Sequence, residues 1–341
     1  MIQRISARKR EHLEAIARDL QIERASSGFD DIRLIHRALP DLNLDDIDTR
    51  CTFLGKTLSF PLIISSMTGG DDEALHLINQ RLAQAAEFCG IAMAVGSQRI
   101  MFDQPNARRS FQLRQYAPET VLLANLGAVQ LNKGFDIKHC QAAVDILQAD
   151  GLYLHLNPLQ EAIQPEGDTD FKYLDRAISI ICEQLDVPVL LKEVGCGLSL
   201  DDITMGKQAG VSYFDLAGRG GTSWSRIEYH RRQHHDDDLG LIFQDWGLTT
   251  IEALKMAKPV HQDVTFIASG GVRNGIDIAK AVTLGAQMCG IAAPLLEPAQ
   301  HSTDAVIRTI EKLQREYQTA MFLLGCQNHY DIFYNHSLLL S

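Results

Sequence analysis

Eight short apolar runs, each followed by a helix-length stretch, constrain this chain more than any other feature. The runs fall at 61–67, 91–96, 121–126, 151–156, 188–194, 213–216, 265–268 and 288–292. They are continuous rather than alternating, as expected of strands buried on both faces of a parallel sheet. The clearest amphipathic helical stretches are 72–89, 137–148, 175–185 and 277–284. Several are predicted to end at a glycine, namely Gly90, Gly151, Gly210 and Gly285, which suits a helix C-terminus. Eight strand–helix units predict a closed (β/α)8 TIM barrel, an α/β fold. The alternative, a doubly wound open sheet, would carry G-x-G-x-x-G after its first strand. That position reads Ser65-Ser66-Met67-Thr68-Gly69-Gly70 instead.

A length of 341 residues fits one barrel. A single domain over 1–341 is therefore expected. It comprises an N-terminal extension at 1–60 with a basic amphipathic helix around 8–24, a barrel at 61–299, and a C-terminal part at 300–341 with a helix at about 303–323. The net charge of −11 argues against general nucleic-acid binding. No apolar run is long enough to span a membrane, and residues 1–24 lack the apolar core of a secretory signal. The seven cysteines, at 51, 89, 140, 182, 196, 289 and 326, include no C-x-x-C pair and read as reduced thiols in a cytoplasmic protein.

Active sites of this fold lie at the C-terminal ends of the strands. Polar and glycine residues gather there: Gly96-Ser97-Gln98-Arg99, Asn125-Leu126-Gly127, Gly220-Gly221-Thr222-Ser223 and Ser269-Gly270-Gly271. Glycines let backbone N–H groups approach phosphate oxygens, and the loops after the last two strands are the usual phosphate site. Lys192 ends the apolar run Val189-Leu190-Leu191, where an isolated ammonium is costly. Three roles are open to it: a Schiff base, stabilisation of an anionic cofactor ring, or a pair with a carboxylate such as Glu193. Glu193 should point to the opposite strand face, which weakens the last. The run His155–Glu161 offers an imidazole, two amides and a carboxylate, with His155 and Asn157 on one strand face and Gln160 and Glu161 on a loop. Glu161 suits a hard cation, either as a ligand or as an exposed loop acid without that role. The charged excursion at 226–243 contains Arg231-Arg232-Gln233-His234-His235-Asp236-Asp237-Asp238, which reads as a solvated loop rather than a metal site, and it carries Glu228, which could reach the site.

These residues resemble the type 2, FMN-dependent isopentenyl-diphosphate delta-isomerases. The most specific are His155-Leu156-Asn157-Pro158-Leu159-Gln160-Glu161 together with Arg8-Lys9-Arg10-Glu11-His12. Met67-Thr68-Gly69-Gly70, Lys192-Glu193-Val194-Gly195, Gly220-Gly221-Thr222-Ser223-Trp224 and Ser269-Gly270-Gly271-Val272-Arg273 add flavin-barrel motifs. The resemblance implies interconversion of isopentenyl and dimethylallyl diphosphate for isoprenoid biosynthesis. It implies reduced FMN, Mg²⁺, NADPH as reductant, and a homo-tetramer or homo-octamer. It assigns FMN to Ser66, Met67, Thr68, Ser97, Asn125, Lys192, Thr222, Gly271, Val272, Arg273, Ala292 and Ala293. It assigns the substrate to Arg8, Lys9, Ser97, Gln98, Arg99, His155, Asn157 and Gln160, and the metal to Glu161. Gln160, Lys192, His155 and Asn157 are the expected catalytic residues.

Two other readings compete. An FMN-dependent 2-hydroxy-acid oxidase or dehydrogenase would carry a histidine base near the loop after the sixth strand, where this chain has Gly220-Gly221-Thr222. A non-catalytic phosphate-binding barrel would have no need of Lys192, His155, Gln160 and Glu161 at its strand ends.

Overall fold

The computed structural model describes residues 11–12, 15–16, 18–67, 69–231 and 237–340. Eight parallel strands close into a barrel: β3 (Leu62–Ile64), β4 (Ala92–Ala94), β5 (Leu122–Gly127), β6 (Gly151–His155), β7 (Val189–Lys192), β8 (Tyr213–Asp215), β9 (Thr265–Ser269) and β10 (Ala286–Ile291). β10 pairs with β3 to complete the ring. All eight apolar runs of the sequence become these strands. Helices α1 (Glu73–Cys89), α2 (Ile137–Leu147), α3 (Pro158–Ile163), α4 (Leu174–Gln184), α5 (Leu200–Gln208), α6 (Trp224–Arg231), α7 (Thr250–Met256), α8 (Gly275–Thr283), α9 (Ala293–His301) and α10 (Thr303–Leu324) surround or cap it.

Two hydrophobic layers hold the barrel together. The larger lies between strands and helices and includes Leu62, Leu122, Leu152, Phe214 and Ile278. The smaller fills the barrel with Ile63, Leu123, Tyr153, Leu190, Ile267 and Met288. An antiparallel hairpin, β1 (Cys51–Phe53) with β2 (Lys56–Leu58), adds Phe53 and Leu58 to that inner layer. Nothing in the sequence of the 1–60 extension marks this hairpin, because three-residue strands are too short to show a period. No helix among the described residues is long and apolar enough to cross a membrane. All seven cysteines are free, in keeping with the thiol reading.

Three local expectations change. Helix α2 ends on Gln148, which takes the left-handed position at φ 50°, and not on Gly151. Gly151 instead opens β6, where an added Cβ would lie 2.9 Å from Leu190 Cδ1 and 3.1 Å from Leu123 Cδ2. Gln160 and Glu161 sit on helix α3, not on a loop. The charged excursion folds as α6 followed by the short helix Leu239–Ile242, while its residues 232–236 lie outside the described part.

Candidate active site

Parallel pairing brings Gly127, His155, Lys192 and Asp215 to one level at the C-terminal end of the barrel, through the partners Gly127–His155, His155–Lys192 and Lys192–Asp215. A cavity of about 250 Å³ opens above them and takes lining residues from the ends of all eight barrel strands. Of the residues expected to function, Ser66, Met67, Ser97, Arg99, Asn125, His155, Asn157, Gln160, Glu161, Lys192, Thr222, Gly271, Arg273, Ala292 and Ala293 line it. Arg8, Lys9 and Thr68 lie outside the described residues.

Two expected residues do not line the cavity. Gln98 is wholly buried; its amide donates to Ala143 O at 2.8 Å and accepts from Asn125 N–H at 2.9 Å. It braces β5 against helix α2, so its side chain is spent before any substrate arrives. The Val272 side chain is in the core, which leaves only its backbone for a ligand.

One wall is built of backbone. Gly270 and Gly271 adopt φ 97° and 79°, and a Cβ on Gly270 would fall 2.0 Å from Gly218 O. A Cβ on Gly221 would fall 3.1 Å from Gly271 N, so the loops after β8 and β9 abut here. Helix α8 starts just beyond, capped by Asn274. Arg273 and Thr222 both meet Glu23, at 2.9 and 3.4 Å. Ser66 Oγ, on the cavity wall, is buried without a hydrogen-bond partner among the described residues. A glycine cradle at a helix N-terminus, an arginine and an unsatisfied hydroxyl fit the phosphate and polar edge of FMN.

The floor carries the paired lysine. Lys192 Nζ donates to Asp215 Oδ2 at 3.0 Å, and Ser269 Oγ and Tyr153 OH donate to the same carboxylate at 2.6 and 3.3 Å. Lys192 and Asp215 are only 7% and 1% exposed, so each ion depends on the other. The sequence reading had offered Glu193 as partner. That side chain instead accepts the N–H groups of Val194, Gly195 and Cys196. Asp215 was missed, although an acid closing the apolar strand Tyr213-Phe214-Asp215 carries the same signal that singled out Lys192.

The opposite wall is a set of interlocked amides. Asn125 donates to Val95 O at 3.0 Å, which leaves its Oδ1 to accept from His155 Nδ1 at 2.8 Å. That bond fixes the tautomer and aim of the ring. Asn157, Gln160 and Glu161 stand at i, i+3 and i+4 around helix α3 and share a face. Asn157 donates to Gln160 Oε1 at 3.2 Å and to Glu161 Oε1 at 2.9 Å. Glu161 also accepts from Asp168 N–H at 2.6 Å and from the Gln164 amide. Asn157 Oδ1 is buried without a donor among the described residues. A buried carboxylate beside an amide oxygen without a donor among the described residues is a hard-oxygen set that fits Mg²⁺.

Helix α6 brings Glu228 to this wall. It is fully buried, accepts from Gln160 Nε2 at 2.8 Å, lies 3.2 Å from His12 Nε2, and pairs with Arg231. Burial alone would raise its carboxyl; the hydrogen bond and charge of His12, the Arg231 charge and the Gln160 amide bring it down to about 2. A depressed carboxyl stabilises the fold above its unfolded value near 4.5, and that stabilisation is lost as pH falls toward 2. Melting curves between pH 5 and 3 should therefore drop more steeply for the parent than for Glu228→Gln. Parallel curves would show that the carboxylate charge is not what ties α6 to Gln160.

Two curated relatives are similar over almost the whole chain. The isopentenyl-diphosphate delta-isomerase of Paracoccus zeaxanthinifaciens is 60% identical over 339 residues, 98% of this chain and 97% of its own length. That of Hydrogenovibrio crunogenus is 57% identical over 337 residues, 98% of each chain. The family described as FMN-dependent dehydrogenase matches residues 2–119 and 154–338. Among solved structures, a flavocytochrome b2 variant with pyruvate bound aligns with a TM-score of 0.67 at 16% identity, covering 97% of this chain and 82% of its own; this likeness supports the barrel alone.

Proposed function

The chain belongs to the type 2, FMN-dependent isopentenyl-diphosphate delta-isomerases, and from that premise we propose how its cavity carries out the isomerisation. The enzyme interconverts isopentenyl and dimethylallyl diphosphate and uses FMN. The observation that carries the reading is that two sets of groups suited to anions stand apart across one cavity. The Gly270-Gly271 cradle with Arg273 lies on one side; Arg99 and the Asn157–Gln160–Glu161 face lie on the other.

The reaction adds a proton at the terminal alkene carbon and removes one from the saturated carbon on the other side of the tertiary centre. No electrons are consumed, so NADPH acts only to reduce the flavin beforehand. When bound, reduced FMN supplies a proton-bearing N5 beside an anionic N1. Lys192, held by Asp215, would place positive charge at the anionic edge of the ring. Ser66, Met67, Ser97, Asn125, Thr222, Gly271, Val272, Arg273, Ala292, Ala293 and, outside the described residues, Thr68 would hold the rest of the cofactor. Gln160 cannot act as a strong acid, but Glu228 and Asn157 fix both ends of its amide, so it would orient the alkene or relay a proton. His155 and Asn157 would aim the substrate from the same wall. Met67, Val129, Val194, Trp224, Ile291 and Leu296 line the space between the two regions, keep water out and shelter the tertiary cation that protonation creates.

Arg99 and Ser97 would take the diphosphate, joined by Arg8 and Lys9 of the N-terminal extension. A homo-tetramer or homo-octamer, in which Arg8 and Lys9 reach a neighbouring site, belongs to this reading, as does a cytoplasmic location. Glu161, with the Asn157 oxygen, would hold Mg²⁺. The hydroxy-acid oxidase reading is disfavoured because the loop after β8, residues 216–223, presents Arg219 and Thr222 and no histidine base.

The test is an anaerobic assay of isopentenyl diphosphate with FMN, dithionite and graded Mg²⁺. Dimethylallyl diphosphate should form, and Glu161→Gln should raise the Mg²⁺ needed for half-maximal rate by at least about tenfold. An unchanged Mg²⁺ requirement in that variant would remove Glu161 from the metal site.

A further inference from the structure

Behind the cavity-lining residues Arg99, Gln130 and Glu161 sits a carboxylate, Asp168, that the reading above leaves without a role. Asp168 Oδ2 accepts from Arg99 Nη1 at 3.2 Å and from Gln130 Nε2 at 3.3 Å. Its other oxygen lies 3.4 Å from Lys133 Nζ. Its backbone N–H donates to Glu161 at 2.6 Å, so the cluster is coupled to the residue suited to the cation. The members come from separate segments: Arg99 follows β4, Gln130 and Lys133 belong to the 3-10 turn Ala128–Lys133 after β5, and Asp168 follows α3. Gln130 is 4% exposed and lines the cavity, as does Arg99.

The chemistry of the donors points outward from the cluster. Two cations and an amide N–H₂ converge on a single carboxylate that offers two oxygens. A diphosphate offers more oxygens and more charge in the same reach, and charge-assisted bonds to phosphate are the strong kind. The side chains of Arg99, Lys133 and Asp168 are 33%, 45% and 18% exposed, so their pairing is solvent-screened and exchangeable.

We infer that Gln130 and Lys133 join Arg99 as ligands of the substrate diphosphate, and that Asp168 is the internal anion that keeps these donors gathered until the diphosphate takes them over. This rests on the reading that the diphosphate lies at the Arg99 side of the cavity. Asp168 therefore competes with the substrate, while Lys133 and Gln130 bind it.

Calorimetric titration of the FMN-loaded enzyme with inorganic pyrophosphate and Mg²⁺ tests this without turnover, with the flavin absorbance reporting that each variant is folded. Lys133→Ala and Gln130→Ala should each weaken pyrophosphate binding about three- to tenfold, and Asp168→Asn should tighten it by a similar factor. Arg99→Ala, which tests the underlying reading, should weaken binding at least as much. If Arg99→Ala weakens binding while Lys133→Ala and Gln130→Ala match the parent, the inference fails and the site stands. If Arg99→Ala also matches the parent, the diphosphate lies elsewhere and both fail. Weaker binding in Asp168→Asn would show that Asp168 organises the site rather than competing for it, and would overturn that half of the inference.

Discussion

Replacing Lys192 with methionine is expected to lower the isomerisation rate by about a hundred- to a thousandfold, the usual effect of removing one positioned charge from a dry site. The same change should destabilise the fold by about 3–5 kcal/mol, because it strands a buried anion. Asp215 would keep Ser269 and Tyr153 as donors but lose its only cation among the contacts described. A second variant separates the two effects. Lys192→Met combined with Asp215→Leu removes both charges, so thermal stability should largely return. Activity should not, since the ammonium proposed to face the flavin is still missing. Recovery of turnover in the double variant would mean that Lys192 serves the barrel and not the chemistry.

Gly270→Ala is expected to yield protein without bound flavin. The glycine sits at φ 97°, and its missing Cβ would stand 2.0 Å from Gly218 O, a backbone atom on the adjoining loop. Neither loop can give way without opening the cradle against which Gly221 and Gly271 already touch. Gly134 is the matched control. Its φ is 94°, but nothing lies within 4 Å of an added Cβ. Gly134→Ala should therefore show only the backbone strain, about 1–2 kcal/mol, and stay yellow. Equal flavin retention in the two variants would show that conformational strain, not the closeness of the loops, decides the cradle's integrity.

The barrel was legible because burial on both faces leaves continuous apolar runs, and every one of the eight became a strand. The hairpin Cys51–Phe53 with Lys56–Leu58 was not, since six strand residues around a turn are too few to establish a period. At the site, residues that close strands were readable from their place alone. Lys192, His155 and Ser269 stand out because a polar group ending an apolar run must face something. The partners were harder. Asp215 lies 23 positions from Lys192, and only parallel register makes them neighbours. Glu228 is 68 positions from Gln160, within a stretch whose charges suggest a solvated loop; helix α6 hides that one acid while leaving others outside. Gln98 failed in the other direction. Its sequence context matched a substrate motif, but its amide turns into the protein toward Ala143 and Asn125. Sequence marks which residues reach the cavity rim; it does not say which way each one turns.

In the proposed mechanism the proton exchange belongs to the flavin, with Gln160 and Lys192 as its supports. The most direct measurement replaces FMN with reduced 5-deazaFMN, which fills the same cradle but carries carbon in place of N5. Binding should be retained by absorbance, and conversion of isopentenyl diphosphate under anaerobic conditions should be abolished. Full turnover with that analogue would contradict the account and move the acid/base role to the protein's own side chains.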